Sequence, residues 1–137
     1  MNDLELIEKA IEARQYAYAP YSNFLGGAAL LCKSGKIYTG CNIENAAYGP
    51  TNCAERTAFF KAISEGERQF VAIAIIVGYA DNIDTYSYPC GVCRQVMREF
   101  CEPEVFQVIT ARSTSDYKKF TLKELLPYSF GPENLGF

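Results

Sequence analysis

The sequence predicts an α/β fold, a mixed β-sheet with helices on its faces. Three observations carry that expectation. GAALLC (27–32) and KIYTGC (36–41) flank a short Lys33-Ser34-Gly35 turn, which reads as a hairpin. FVAIAIIV (70–77) is β-rich and apolar on both faces, as a central strand should be. Beyond the hairpin, helical and strand-like segments alternate, so the predicted order is α-β-β-α-β-α-β-α.

The elements follow in turn. Residues 3–18 read as a helix with Leu4, Ile7 and Ile11, joined by Ala10 and Ala17, as its apolar stripe. Asn2 or Asp3 is placed to cap it and Pro20 to close it. After the hairpin, CNIENAAYGPTN (41–52) is rich in Asn, Gly and Pro and reads as a loop. A second helix spans 53–65 and stops at Gly66. Residues 79–89 form a polar loop. A third helix, 90–101, sets Val92, Val96 and Phe100 on one side and stops before Pro103. VFQVIT (105–110) is the fourth strand. TLKELL (121–126) is a short helix, with Thr121 and Glu124 spaced as a capping box. The tail is loop. No repeat, charge block or composition shift divides the chain, so residues 1–137 are expected to form one domain.

Composition narrows the function. The chain is 49% hydrophobic and 21% charged with a net charge of −3, ordinary for a globular protein. A phosphate-backbone binder usually carries a basic excess, so a polynucleotide is excluded as the main ligand and a small polar molecule fits better. MNDLELIEKA is acidic and amphipathic rather than basic then apolar, unlike a secretory leader. No apolar run approaches the roughly 18 residues that span a bilayer, so no membrane partner is expected. The protein is expected in the cytoplasm, where six cysteines point to metal binding or burial rather than disulfides.

The thiols have a pattern. Cys53 opens the second helix in NCAER, with Glu55 two residues on, and Cys90 and Cys93 open the third in PCGVC. A helix N-terminus has partial positive charge and free N–H groups, which stabilise thiolate. Three thiolates around Zn²⁺ carry an excess negative charge that Arg56 and Arg94 are placed to offset. Three protein ligands leave a fourth position for water, the arrangement of a catalytic zinc rather than a structural one. Zinc brings the pKa of bound water towards ~7, and Glu55 would then be an acid/base beside that water.

C-A-E followed by P-C-x-x-C matches the pattern of zinc nucleobase deaminases, in which His or Cys fills the first slot. PYSNFLGGAAL (20–30), TGCNIENAAYGPTNCAER (39–56), PCGVCRQV (89–96) and ELLPYSFGP (124–132) strengthen the match. With these four motifs in order, the chain resembles, over nearly its whole length, the small homotetrameric cytidine deaminases of pyrimidine salvage. The resemblance implies a three-layer α/β/α sandwich around a mixed sheet. It implies hydrolytic deamination of cytidine and 2′-deoxycytidine to uridine and 2′-deoxyuridine plus ammonia. It implies that Cys53, Cys90 and Cys93 hold zinc and that Glu55 shuttles protons. Asn42 and Glu44 would bind ribose hydroxyls, Phe24 would line the pyrimidine pocket, and main-chain groups near Ala54 would read the base edge. Phe130 would reach in from a neighbouring subunit of a homotetramer, and Arg56 would hydrogen-bond the thiolates. The match departs from the family's usual residues at Gly26 and Val92.

The residues alone leave other readings open. Cys90 and Cys93 could form a redox pair. With no His in the chain, a structural zinc would need Cys32, Cys41 or Cys101 as fourth ligand. Those three read more simply as core residues at strand and helix ends. Asn52 to Glu55 has capping-box spacing, so Glu55 could merely cap its helix. Asn42 and Glu44 could be turn residues, and Phe24 core. A related deaminase of another amine, or a zinc-stabilised binding module without activity, also fits.

Overall fold

The computed structural model describes residues 2–79 and 83–137; residues 80–82 of the predicted loop lie outside the described residues. Five strands form one sheet in the order β2-β1-β3-β4-β5. They are β1 (Phe24–Cys32), β2 (Ile37–Cys41), β3 (Phe70–Tyr79), β4 (Gln107–Ser113) and β5 (Asp116–Thr121). β3 and β4 pair in parallel and every other pair is antiparallel, so the sheet is mixed.

Burial along β3 alternates between two cores. Ile73 and Ile75 join Leu30, Phe59, Met97 and Val108 under α2 (Ala54–Ser64) and α3 (Gly91–Phe100). Ala72, Ala74 and Ile76 join Leu6, Ile7 and Ala10 of α1 (Asp3–Arg14) on the opposite face. Successive strand residues point to opposite faces, which is why an all-apolar run suits a strand covered on both sides. The three layers are α1, the sheet, and α2 with α3, as expected.

Two glycines allow the helices to approach the sheet. A Cβ on Gly27 would lie 2.1 Å from the Ala10 carbonyl oxygen of α1, and one on Gly40 would lie 2.4 Å from that of Ala54 in α2. The Gly27 contact seats α1 on the sheet, and the Gly40 contact seats the first turn of α2 closely on the β1–β2 hairpin.

Asn2 caps α1, its side chain accepting from Glu5 N–H at 2.8 Å. The helix ends at Arg14, not at residue 18. Tyr18 is drawn into a bridge with the 41–52 loop, its N–H donating to the Asn42 carbonyl at 2.9 Å while its carbonyl accepts from Glu44 N–H at 2.8 Å. The inward stripe is Leu6, Ile7, Ala10 and Ala13, and Leu4 is exposed. β1 begins three residues earlier than predicted, at Phe24. β5 lies in a stretch to which the sequence reading assigned no element: DYKKFT carries three charges and sits at the sheet edge, where charges deter further pairing. α4 (Leu122–Leu125) follows it and has the predicted Thr121–Glu124 capping box. Pro132–Leu135 form one 3₁₀ turn in the tail. Among the described residues no helix is long and apolar enough to cross a membrane.

Candidate active site

The two thiol-bearing helix starts meet. Cys53 and Cys90 are the N-cap residues of α2 and α3, both in extended conformation and neither spending its side chain on a cap bond. Cys93 lies one turn inside α3 and is buried. The Cys53 and Cys90 sulfurs are 3.7 Å apart, those of Cys90 and Cys93 3.5 Å, and all three lie within 4.8 Å of one another. Among the described residues the cluster stops at three and includes neither Glu55 nor Cys32, Cys41 or Cys101.

Arg56 is three residues along α2 from Cys53, on the same helix face. Its Nη2 donates to Cys53 Sγ at 3.2 Å, and its Nε is buried without a hydrogen-bond partner. The Cys53 thiol is pushed down to about 5 by sharing a proton with Cys93 and, against burial, by the Arg56 guanidinium. The Cys93 thiol is pushed up by the same shared proton and by burial. Arg56 itself stays firmly protonated: burial opposes its charge, but the bonds to the Cys53 and Cys93 sulfurs outweigh that. The Arg56 guanidinium therefore favours thiolate at Cys53.

These donors fit zinc. Sulfur suits a borderline-soft cation, and a tetrahedral ion with Zn–S near 2.3 Å sets its ligands about 3.8 Å apart. The 3.5 and 3.7 Å separations match that edge without a rearrangement of either helix start. A disulfide does not: all six cysteines are free.

Glu55 is in the first turn of α2 and only 5% exposed. Burial pushes its carboxyl up to about 7, and the neighbouring Cys53 adds in the same direction. It does not form a capping box with Asn52. The N-cap is Cys53, and Asn52 Nδ2 donates instead to Thr57 Oγ1 at 3.1 Å.

A pocket of about 190 Å³ opens beside these groups, and Phe24, Asn42, Cys53, Ala54, Glu55 and Cys90 line it. Four further residues share its wall: Gly26, Val77, Ser87 and Tyr88. Gly26 was noted only as a departure from the family's usual residue, and Val77 only as the end of the strand 70–77. The signal for Ser87 and Tyr88 was their place just before Pro89-Cys90, but their orientation depends on a distant hairpin. The Ser87 carbonyl accepts from Thr110 Oγ1, the Tyr88 ring meets Phe120 edge-on at 5.7 Å, and Tyr86 O–H donates to Asp116.

Asn42 Oδ1 accepts from Gly26 N–H at 2.9 Å and its Nδ2 donates to the Phe24 carbonyl at 2.8 Å. Each end of the amide keeps one further hydrogen-bonding site. Glu44 lies outside this pocket, in an open cleft with Tyr21, Ser22, Tyr48 and Thr51. Its carboxylate accepts from the Ser22 hydroxyl and from the Tyr21 and Ser22 N–H groups, which hold its pKa below the usual value, the hydroxyl contributing most. Phe130 is 59% exposed and does not line the pocket of its own chain. Arg94 departs from expectation. Its guanidinium donates to the Pro89 and Leu125 carbonyls, at 2.6 and 2.5 Å, and its bonds go to no thiol. Leu125 ends α4, where a carbonyl without an intrahelical partner is a strong acceptor. Val92, between the cysteines, is exposed.

The cytidine and deoxycytidylate deaminase zinc-binding region matches residues 1–109. The chain belongs to this family. It is 50% identical over 133 residues to a cytidine deaminase of Sporosarcina psychrophila, covering 97% of this chain and 94% of that one. With a cytidine deaminase of Halalkalibacterium halodurans it shares 51% over 130 residues, 95% of each chain. The crystal structure of a cytidine deaminase from Burkholderia pseudomallei superposes with a TM-score of 0.87 at 45% identity, covering 95% of this chain and all of that one. Within this deaminase family the metal is zinc, and Cys53, Cys90 and Cys93 are the cluster suited to it.

Proposed function

We propose that this protein deaminates cytidine and 2′-deoxycytidine by hydrolysis, releasing ammonia, and that Cys53, Cys90 and Cys93 hold its zinc. The observation that carries the reading is a three-thiol cluster, with no fourth ligand among the described residues, beside a buried carboxyl, with Cys53, Cys90 and Glu55 on the wall of one pocket. Bound zinc supplies a Lewis acid that makes water a nucleophile at neutral pH. The chain supplies the rest. Arg56 holds negative charge on Cys53 and so moderates the donor strength of the trio. Glu55 takes a proton from the water and gives it to N3 of cytosine. Once the oxygen is on C4, Glu55 takes that oxygen's remaining proton and gives it to the departing amine, so that C4 becomes a carbonyl and ammonia leaves. A carboxyl poised near neutrality can do both. Phe24 and Val77 give the base an apolar wall, and main-chain groups near Ala54 read its polar edge. Asn42 offers the sugar one donor and one acceptor beyond those it uses on β1, and Glu44 an ionised carboxylate nearby.

The working form is a homotetramer, with Phe130 completing the pocket of a neighbouring subunit. Phe60, Tyr128, Phe130 and Phe137 are exposed large side chains of the kind an interface covers, which supports this assembly. A role in pyrimidine salvage in the cytoplasm fits a nucleoside substrate and a metal held by free thiols.

The test is one set of measurements on purified protein: zinc per chain, cytidine and deoxycytidine turnover, and solution mass, for the wild type and Glu55→Gln. Turnover by the wild type alone, with zinc in both and a mass of four chains, is expected. Zinc without turnover of either nucleoside would move the substrate elsewhere.

A further inference from the structure

Among the described residues two charged side chains are buried, Glu55 and Arg98. The proposed reaction uses Glu55 and leaves Arg98 without a task. A buried guanidinium is costly unless its donors are satisfied, so its partners say what it is for. They lie in the chain's tail. Its Nε donates to Ser129 Oγ at 2.8 Å, and its Nη2 is bonded to the Glu133 carboxylate. Between these two, Gly131 is buried against the guanidinium: a Cβ there would lie 2.3 Å from Arg98 Cζ. The backbone at Gly131 is extended, so the guanidinium, not the chain geometry, is what excludes a side chain. A free arginine would swing aside, but this one is held at Nε and at Nη2. Gln95, three residues earlier on the same face of α3, donates from Nε2 to the Phe130 carbonyl at 2.9 Å.

Three consecutive residues, 129–131, are thus pinned to α3, and Phe130 is the middle one. Its ring is nonetheless exposed. An exposed aromatic on a backbone so firmly held is presented, not loose. A ring already in its bound position gives up less freedom on contact, so more of that contact survives as affinity. We propose that Arg98 is a positioning residue that acts on a neighbouring subunit's pocket and not on its own: against Gly131, and with Gln95, it sets the arm that presents Phe130. The inference rests on the reading above that Phe130 completes a neighbour's pocket. It makes α3 serve two sites. The start of the helix carries Cys90 and Cys93 for its own pocket, and its last turn anchors the arm that enters another.

Subunit mixing separates the two pockets. Arg98→Gln, Gly131→Ala and Phe130→Ala are each made alone, and each is co-expressed with Glu55→Gln under a second affinity tag, so that mixed oligomers can be purified. Cytidine turnover below the wild-type KM, KM itself, zinc per chain and solution mass are measured for all. Alone, Arg98→Gln and Gly131→Ala should keep zinc and assembly. Their KM should rise towards that of Phe130→Ala, by roughly ten- to a hundredfold, the worth of an aromatic ring against a bound base. In the mixed oligomers a chain that has Glu55 receives an intact arm from a Glu55→Gln neighbour. Turnover should return to about a quarter of wild type, because half the sites have Glu55 and half of those receive an intact arm. An arginine that only holds its own subunit together would not be rescued in this way. A wild-type KM in both variants overturns the proposal, as does loss of zinc or assembly in both. So does recovery by Phe130→Ala mixtures without recovery by Arg98→Gln mixtures. If Arg98→Gln does not fold, Gly131→Ala decides by the same criteria. Absence of recovery by Phe130→Ala itself overturns the placing of Phe130 in a neighbour's pocket and this inference with it, so the two failures look different.

Discussion

α3 carries cysteines of two kinds. At its N-terminus Cys90 and Cys93 face Cys53, and a guanidinium reaches the group. At its C-terminus Cys101 is buried among apolar side chains, and burial pushes its thiol well up. Cys32, at the end of β1, is likewise buried and pushed up to about 11, mainly by burial, whereas Cys53 is pushed down to about 5. Residue type does not separate these thiols. The company each sulfur keeps does: Cys53 shares a proton with Cys93 and is bonded by Arg56, whereas burial dominates at Cys32 and Cys101.

The largest effect should come from exchanging members across that divide. Cys93→Ser should lose most of the bound zinc and reduce turnover to background, measured by elemental analysis and ammonia release. Cys101→Ala should keep both. Alkylation sharpens the contrast: chelation should open Cys53 and Cys90 to iodoacetamide, while Cys32 and Cys101 stay protected in both states by burial. Zinc loss in Cys101→Ala, or labelling of Cys101 in the folded protein, would break the division.

Next in size is Glu55→Gln. The carboxamide fills the same buried space and cannot shuttle a proton. Zinc should stay at the wild-type level while kcat falls by about 10²–10⁴-fold, the usual worth of a placed acid/base. A comparable loss of zinc would mean that Glu55 supports the thiol cluster rather than the chemistry.

Arg56 comes third. Arg56→Gln removes the charge bonded to Cys53 and should weaken zinc affinity by about 10–100-fold, the scale of outer-shell partners. Competition with a chelator measures it. Arg94→Gln should change zinc affinity far less, because its bonds go to carbonyls. Equal effects would return Arg94 to the thiolate-tuning role that its sequence position suggested.

Those two arginines also mark where the sequence was legible. Arg56 follows Cys53 by three residues and Arg94 follows Cys90 by four, so helix spacing puts both near a thiol. What the sequence did not show is the Leu125 carbonyl, on a distant element, that draws Arg94 away. The thiols and Glu55 were readable because their spacing within each helix start is local. The apolar strands were readable from their burial on both faces. What escaped depends on distant partners. α1 stops at Arg14 because Tyr18 bridges to Ile43. β5 has the charges of a loop because it is an edge. Ser87 and Tyr88 line the pocket because β4 and β5 hold them there.

That last dependence makes the smallest prediction. Of the three cluster thiols Cys90 is the exposed one, and it follows a loop segment rather than a strand. The segment is tied down by Thr110 on the Ser87 carbonyl, by Phe120 on the Tyr88 ring, and by Tyr86 on Asp116 with Arg112 and Lys118 over its ring. Tyr86→Phe removes one hydrogen bond and keeps the ring between its cations. Because two ties remain, zinc content should not change. Tyr88 should be held less firmly on the pocket wall, and KM for cytidine should rise a few-fold with kcat nearly constant, the pattern of weakened uniform binding. A fall in kcat and zinc together would show that the tie supports Cys90 itself. The thiol cluster would then depend on the β4–β5 hairpin as much as on its two helix starts.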